Sequence, residues 1–179
     1  MDALYLSWKD VCQLIDHMVA NLSGHFDAVV AVSQGGIVPA GILSERLGIR
    51  EVYVACVSFF EDDSQLVDWP VFLQFPEQRW LQGRRLLVVD DIWERGRTIN
   101  SVRERIELAG GEVVTAVLHY RPPAAPQAAN DSMPDLWYQR HISAPGGAPV
   151  ARSVPDVFGA ETQQQVVYPW QMARGKQQA

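Results

Sequence analysis

The chain has 179 residues, 47% hydrophobic and 20% charged, proportions that exclude a disordered chain and suit one globular domain with a core of useful size. A formal net charge of -6 argues against a general binder of nucleic acid or of an anionic membrane surface. No apolar run approaches the roughly 18 residues needed to cross a bilayer, and the amino terminus, MDALYLSWKD, has no basic or long apolar stretch of the kind that makes a signal peptide.

In chain order, Ser7 with Asp10 three residues later marks a helix start. Trp8, Val11, Leu14, Ile15, Met18 and Val19 then recur at helical spacing, which predicts an amphipathic helix ending near Ser23-Gly24. His17 and His25 flank it as surface or capping residues, with no partner motif nearby. Cys12 and Cys56 fall in apolar periodic segments and have no metal-type spacing. They read as buried thiols, in keeping with a reducing, cytoplasmic compartment.

DAVVAV (27–32) is a short buried strand, SQGG a turn, and IVPAGILSERLGI a helix with Pro39 tolerated in its first turn and Gly48 at its end. VYVACVSF (52–59) is the next strand. Residues 60–83 carry mixed signals and two prolines, which predicts a long irregular lid or mobile loop. RLLVVD (85–90) is the third strand. A helix over 98–109 follows, with Ile99, Val102, Ile106 and Ala109 on one face and Gly110-Gly111 closing it; VVTAVLHY (113–120) is the fourth strand. Strands apolar throughout and alternating with helices make this an α/β chain with a parallel sheet covered on both faces. Beyond Tyr120, residues 121–135 and 143–156 are Pro-rich loops around a short strand, LWYQR. QVVYPW (165–170) is a terminal strand stopped by Pro169, and the last residues are expected to fray. No internal repeat or second domain is evident, so residues 1–179 form a single domain.

Two strand-to-helix turns carry chemistry, Ser33 to Gly36 and Asp90 to Thr98. Ligands of open parallel sheets bind outside the carboxyl ends of the strands, where helix starts leave unpaired N–H groups that favour an anion. Gly35, Gly36 and Gly96 let main chain approach a phosphate; Thr98 adds a hydroxyl donor or serves as the helix N-cap. Adjacent carboxylates, Asp90 and Asp91, repel a phosphate but suit vicinal hydroxyls or a Mg²⁺ ion bound through oxygen. Diol-binding acids, a phosphate loop and a second loop across the cleft describe a phosphorylated ribose. The bland alternative is a solvated strand-to-helix turn on an unrelated α/β domain. Neither GxxxxGK[ST] nor a correctly spaced GxGxxG is present.

LLVVDDIWERGRT resembles the 5-phosphoribosyl-1-pyrophosphate (PRPP) signature of type I phosphoribosyltransferases, and residues 31–65, beginning AVSQGGIVPAG, resemble the pyrophosphate-loop region of bacterial xanthine-guanine members. QVVYPW resembles the carboxyl-terminal segment by which xanthine and hypoxanthine members hold the purine, so the likeness runs collinearly over about residues 28–170. It implies the type I fold, with a small hood over about 60–83 and a base-recognition segment over about 134–170. It implies that Asp90 and Asp91 hold the ribose hydroxyls, with Asp91 near Mg²⁺. Glu94, Arg95, Gly96, Arg97 and Thr98 would bind the 5′-phosphate, and Ser33, Gln34, Gly35 and Gly36 the pyrophosphate, in a loop that carries a non-proline cis peptide in the family. Glu94 would take the catalytic acid–base position, and Val166 and Trp170 would meet the base. The implied partners are PRPP, a purine-like base and a nucleoside monophosphate, with no nucleic acid and no membrane, in a homodimer or homotetramer.

Five positions depart from the family pattern. Glu94 stands for an aspartate, Arg95 for a small hydroxyl residue, Gln34 for an arginine, and Gln165 for a base-stacking aromatic; Trp93 is also bulky for a position usually Val or Ile. The departures leave two outcomes open: a phosphoribosyltransferase acting on a purine-like base, or a regulatory protein on the same fold that binds nucleotide or PRPP without transfer.

Overall fold

The computed structural model describes residues 3–61, 65–122 and 154–171, and the backbone alone for 60, 61 and 65–69. The expected LWYQR strand, Trp137 and the fraying terminus lie outside the described residues. Ser7 starts helix α1 (Trp8–Asn21) through a capping box: its hydroxyl oxygen accepts from the Asp10 N–H at 3.3 Å, and its own N–H donates to the Asp10 carboxylate at 2.8 Å. Val11, Ile15 and Met18 are buried as the periodicity requires, whereas Trp8, at the first turn, is exposed and leans on Trp170. Strand β2 (Ala28–Ser33) and helix α2 (Ile37–Leu47) follow, and Gly48 ends α2 at φ 68°, the left-handed conformation that a helix terminus asks of glycine.

Strand β3 (Val52–Glu61) is followed by β4 (Gln65–Gln74), which pairs with it antiparallel. The expected irregular segment over 60–83 is therefore largely a strand, with a short 3-10 turn at Gln78–Trp80. Pro70 misled the sequence reading: proline is excluded from central strands but tolerated on a sheet edge, and β4 is an edge. Strand β5 (Arg85–Trp93), helix α3 (Arg97–Leu108) and strand β6 (Glu112–Tyr120) complete the alternating part. Two further strands were not anticipated. β7 (Val157–Glu161) joins the edge beside β6, fastened by Asp156, whose carboxylate accepts from the Thr115 N–H and hydroxyl, both at 2.8 Å. β1 (Leu4–Tyr5) pairs with β8 (Val166–Val167), the expected terminal strand, in a separate two-stranded ribbon.

The main sheet has the order β4-β3-β2-β5-β6-β7, parallel except for β4. Alternate residues of the central strands feed two cores. Val29, Ala31, Leu87 and Val89 pack under α1 and α2, while Ala28, Val30, Leu86 and Val88 pack under α3 through Ile99, Val102 and Ile106. Cys12 and Cys56 are free but only half-buried. No helix among the described residues is long and apolar enough to cross a membrane. After β2 the chain crosses to β3 on one side, and β5 lies on the other, so the order reverses between β2 and β5 and opens a crevice at their carboxyl ends.

α3 also buries Arg103 and Glu104; Arg103 donates to Glu107 at 2.8 Å. Burial pushes the Glu104 carboxyl up to about 7, with Arg103 opposing and Glu107 reinforcing the shift. Its proton is held more tightly in the folded than in the unfolded chain, so this contribution is complete at acid pH and is lost as pH rises through about 7. Glu104→Gln, which keeps the shape of the protonated acid, is therefore expected to gain about 1–3 kcal/mol over wild type at pH 8. Thermal melts of both proteins should converge at pH 5.

Candidate functional site

β5 does not stop at Asp90. It runs on to Trp93, so Asp90 and Asp91 both lie within the strand and not in the turn after it. The Asp91 N–H donates to the Asp90 carboxylate at 2.9 Å. Burial, and then the charge of Asp91, push the Asp90 carboxyl well above the usual range; burial likewise raises Asp91.

The other turn comes to meet them. A Cβ on Gly35 would stand 2.4 Å from the Asp91 carboxylate, and one on Gly36 would stand 2.1 Å from the Val89 carbonyl oxygen. Both glycines are thus required by the approach of the β2 turn to β5. The peptide between Ser33 and Gln34 is cis, as the resemblance implied, and Gln34 is exposed. Ser33 to Gly36 and Asp90-Asp91 share one crevice wall.

Past the aspartates, Trp93 turns its side chain into the core at 1% exposure and lies beneath the next turn. A Cβ on Gly96 would stand 2.5 Å from the Trp93 ring, and Gly96 has φ 69°. Space and dihedral both demand glycine there. Gly96, not Thr98, is the N-cap of α3, and the helix start carries no side-chain cap hydrogen bond. Arg95 is exposed, and the Arg97 guanidinium lies 4.4 Å over the Phe59 ring of β3.

Glu94 is half-exposed and pairs with Arg121 at 2.6 Å. Arg121 also donates to the Gln164 carbonyl at 2.8 Å, and its main-chain N–H donates to the Trp93 carbonyl at 2.8 Å. The sequence reading missed Arg121, although it stands at the carboxyl end of β6, where the rule for parallel sheets directs attention. It also missed Tyr168, whose hydroxyl donates to the Asp91 carbonyl at 2.8 Å and lies 2.9 Å from His119 Nδ1. A phenol has one proton, so His119 must donate from Nδ1. The ring is neutral because burial, helped by the charge of Arg121, lowers its pKa to about 4.

Leu4 and Leu6 donate to the carbonyls of Gln165 and Val167, so strand alternation turns the main-chain groups of Val166 away from β1. Trp170 stacks on Tyr168 with centroids 4.7 Å apart and tilts against Trp8. The indole N–H groups of Trp93 and Trp170 are buried without a partner among the described residues.

The model of the phosphoribosyl transferase domain matches residues 4–139 of this chain. The chain belongs to that family. It is 29% identical over 143 residues to the xanthine-guanine phosphoribosyltransferase of Idiomarina loihiensis, covering 79% of this chain and 84% of that enzyme. A crystal structure of purine phosphoribosyltransferase from Pyrococcus horikoshii superposes with a TM-score of 0.69 at 26% identity, over 95% of this chain and 94% of the other. A Neisseria gonorrhoeae hypothetical protein with bound ppGpp superposes with a TM-score of 0.66 at 22% identity, over 95% and 90% of the two chains. In this phosphoribosyltransferase-family fold the bulky Trp93 is accommodated by Gly96. Gly96→Ala is expected to cost about 1–3 kcal/mol, since the side chain must displace a packed indole and accept positive φ. Trp93→Val should recover part of that loss in the Gly96→Ala background, read as a shift in thermal midpoint.

Proposed function

We propose that this protein transfers a 5-phosphoribosyl group from PRPP to a purine-like base and releases pyrophosphate. The observation that carries the reading is the packing of the β2 turn on Asp91, which joins an acid pair suited to ribose hydroxyls with a loop suited to a second anion. Asp90 and Asp91 accept hydrogen bonds from the 2′ and 3′ hydroxyls. Residues 94–98 receive the 5′-phosphate at the start of α3, and residues 33–36 receive the pyrophosphate. Val166 presents main-chain groups to the base. Trp170, with one face stacked on Tyr168, supports that segment from behind.

The donor set fits Mg²⁺. Two carboxylates are held side by side, which suits an ion completed by substrate oxygens. Asp91, with Asp90 beside it, would hold the ion, and the ion would supply positive charge to the leaving pyrophosphate. In the transfer, the bond from the ribose anomeric carbon to the pyrophosphate oxygen breaks and a bond to a base nitrogen forms. The proton on that nitrogen passes to Glu94. Positive charge builds on the ribose during this exchange, so the cleft must exclude water while both bonds are partial.

With saturating Mg-PRPP and a panel of guanine, xanthine, hypoxanthine, adenine and uracil, pyrophosphate release is expected with at least one base. Silence across the panel overturns the transfer reading, and calorimetric binding of PRPP or a nucleoside monophosphate would then assign a binding protein on the same fold. Asp90→Asn and Asp91→Asn should each remove roughly 1.5–3 kcal/mol of transition-state binding, about tenfold to a hundredfold in kcat/KM. In an inert wild type, activity gained by Gln34→Arg with Arg95→Thr would identify the two departures as the cause.

A further inference from the structure

Arg121 occupies the one point where three parts of the site meet. Its main-chain N–H holds the Trp93 carbonyl at 2.8 Å, immediately before the phosphate turn. One end of its guanidinium pairs with Glu94, the first residue of that turn, at 2.6 Å, and the other donates to the Gln164 carbonyl at 2.8 Å. Gln164 belongs to the stretch that leads into β8, where the Thr162 N–H donates to the Tyr120 carbonyl at 2.9 Å, the Gln163 side-chain amide to the Pro122 carbonyl at 3.2 Å, the Gln164 N–H to the Thr162 hydroxyl at 3.1 Å, and the Gln165 carbonyl accepts from Leu4 at 2.8 Å. The Arg121 side chain is 26% exposed and that of Glu94 is 52% exposed. An ion pair so open to water is weak while Glu94 is free to move, and strengthens when something else fixes Glu94.

We propose that Arg121 is a positioning residue that carries occupancy of the phosphate turn to the base-recognition segment. This rests on the assignment of residues 94–98 as the phosphate turn. An anion seated at the start of α3 immobilises the main chain on which Glu94 stands. Glu94 then holds one end of the guanidinium, and the planar fork aligns the other end on the Gln164 carbonyl, which sets the stretch 162–167 in place for the base. Because coupling between two sites is reciprocal, a bound base tightens the phosphate turn by the same factor.

The experiment is amide hydrogen exchange with ribose 5-phosphate, a probe that carries the phosphate and no base, combined with steady-state kinetics. In wild type the probe is expected to slow exchange in both 94–99 and 162–167. In Arg121→Gln it should slow exchange in 94–99 alone. Glu94→Gln, which cuts the same link from its other end, should behave likewise in exchange and guards against a folding defect in either variant. Arg121→Lys, which keeps the charge but loses the fork, should restore only part of the response. In kinetics, Arg121→Gln should raise KM for the base at saturating PRPP and KM for PRPP at saturating base by a similar factor, roughly tenfold, while the Kd of ribose 5-phosphate alone changes less than threefold; a general loss of structure would move that Kd as well. Equal protection of 162–167 in wild type and Arg121→Gln overturns the proposal, as does its absence in wild type. Absence of turnover with every base counts against the transfer reading and leaves the exchange result to decide the coupling. No protection at 94–99 in wild type overturns the phosphate-turn assignment and the proposal together.

Discussion

The site depends on a contact that has no side chain on one of its two surfaces. Gly35 lies against the Asp91 carboxylate and Gly36 against the Val89 carbonyl, at separations where a single Cβ would overlap the opposing atoms. This lets the turn after β2 close on the end of β5 at the point where strand order reverses. A methyl group at either position would force the two turns apart, and the acid pair would no longer lie against the turn after β2. Such tight backbone approach suits rigid strands, and β2 and β5 are the mostly buried centre of the sheet.

Around that contact the electrostatics are arranged in layers. Burial raises both carboxyls, and the charge of Asp91 raises that of Asp90 further, so the pair suits partners that donate hydrogen bonds or carry positive charge. Behind them the carbonyl of Asp91 is held by neutral groups, the Tyr168 hydroxyl and through it His119. One cation of this neighbourhood, Arg121, stands to one side and is engaged by Glu94. The acid pair, an uncapped helix start and an acid paired with arginine are thereby kept distinct within a few residues of chain.

Much of the fold is written in local patterns. The capping box at Ser7, the apolar runs of β2, β5 and β6, and Gly48 after α2 each follow from periodicity or from a residue with a single conformational use. The less legible elements are those that exist through long-range pairing. β1 has two residues and exists by pairing with β8, the terminal strand that the sequence does suggest, and β7 is fastened by Asp156 to a threonine on β6. β4 reads as a loop because proline is informative only when a strand's place in the sheet is known. The position of the acid pair is a smaller instance: its charge suggested a turn, yet pairing with β6 extends the strand through Trp93.

The sequence by itself determined the alternating α/β order, the two glycine turns and the acid pair, because these rest on residue types whose backbone and hydrogen-bonding options are narrow. Only the tertiary structure decided what those residues touch. It seats Trp93 under Gly96, so a bulky departure becomes the support of the turn, and it gives Glu94 a partner in Arg121, 27 residues away. It also makes Tyr168 a prop for Asp91 and stacks Trp170 on Tyr168. The physical reason is range. Dihedral preference and periodicity act within a few residues, whereas packing and ion pairing act across strands that the sheet, not the chain, makes neighbours.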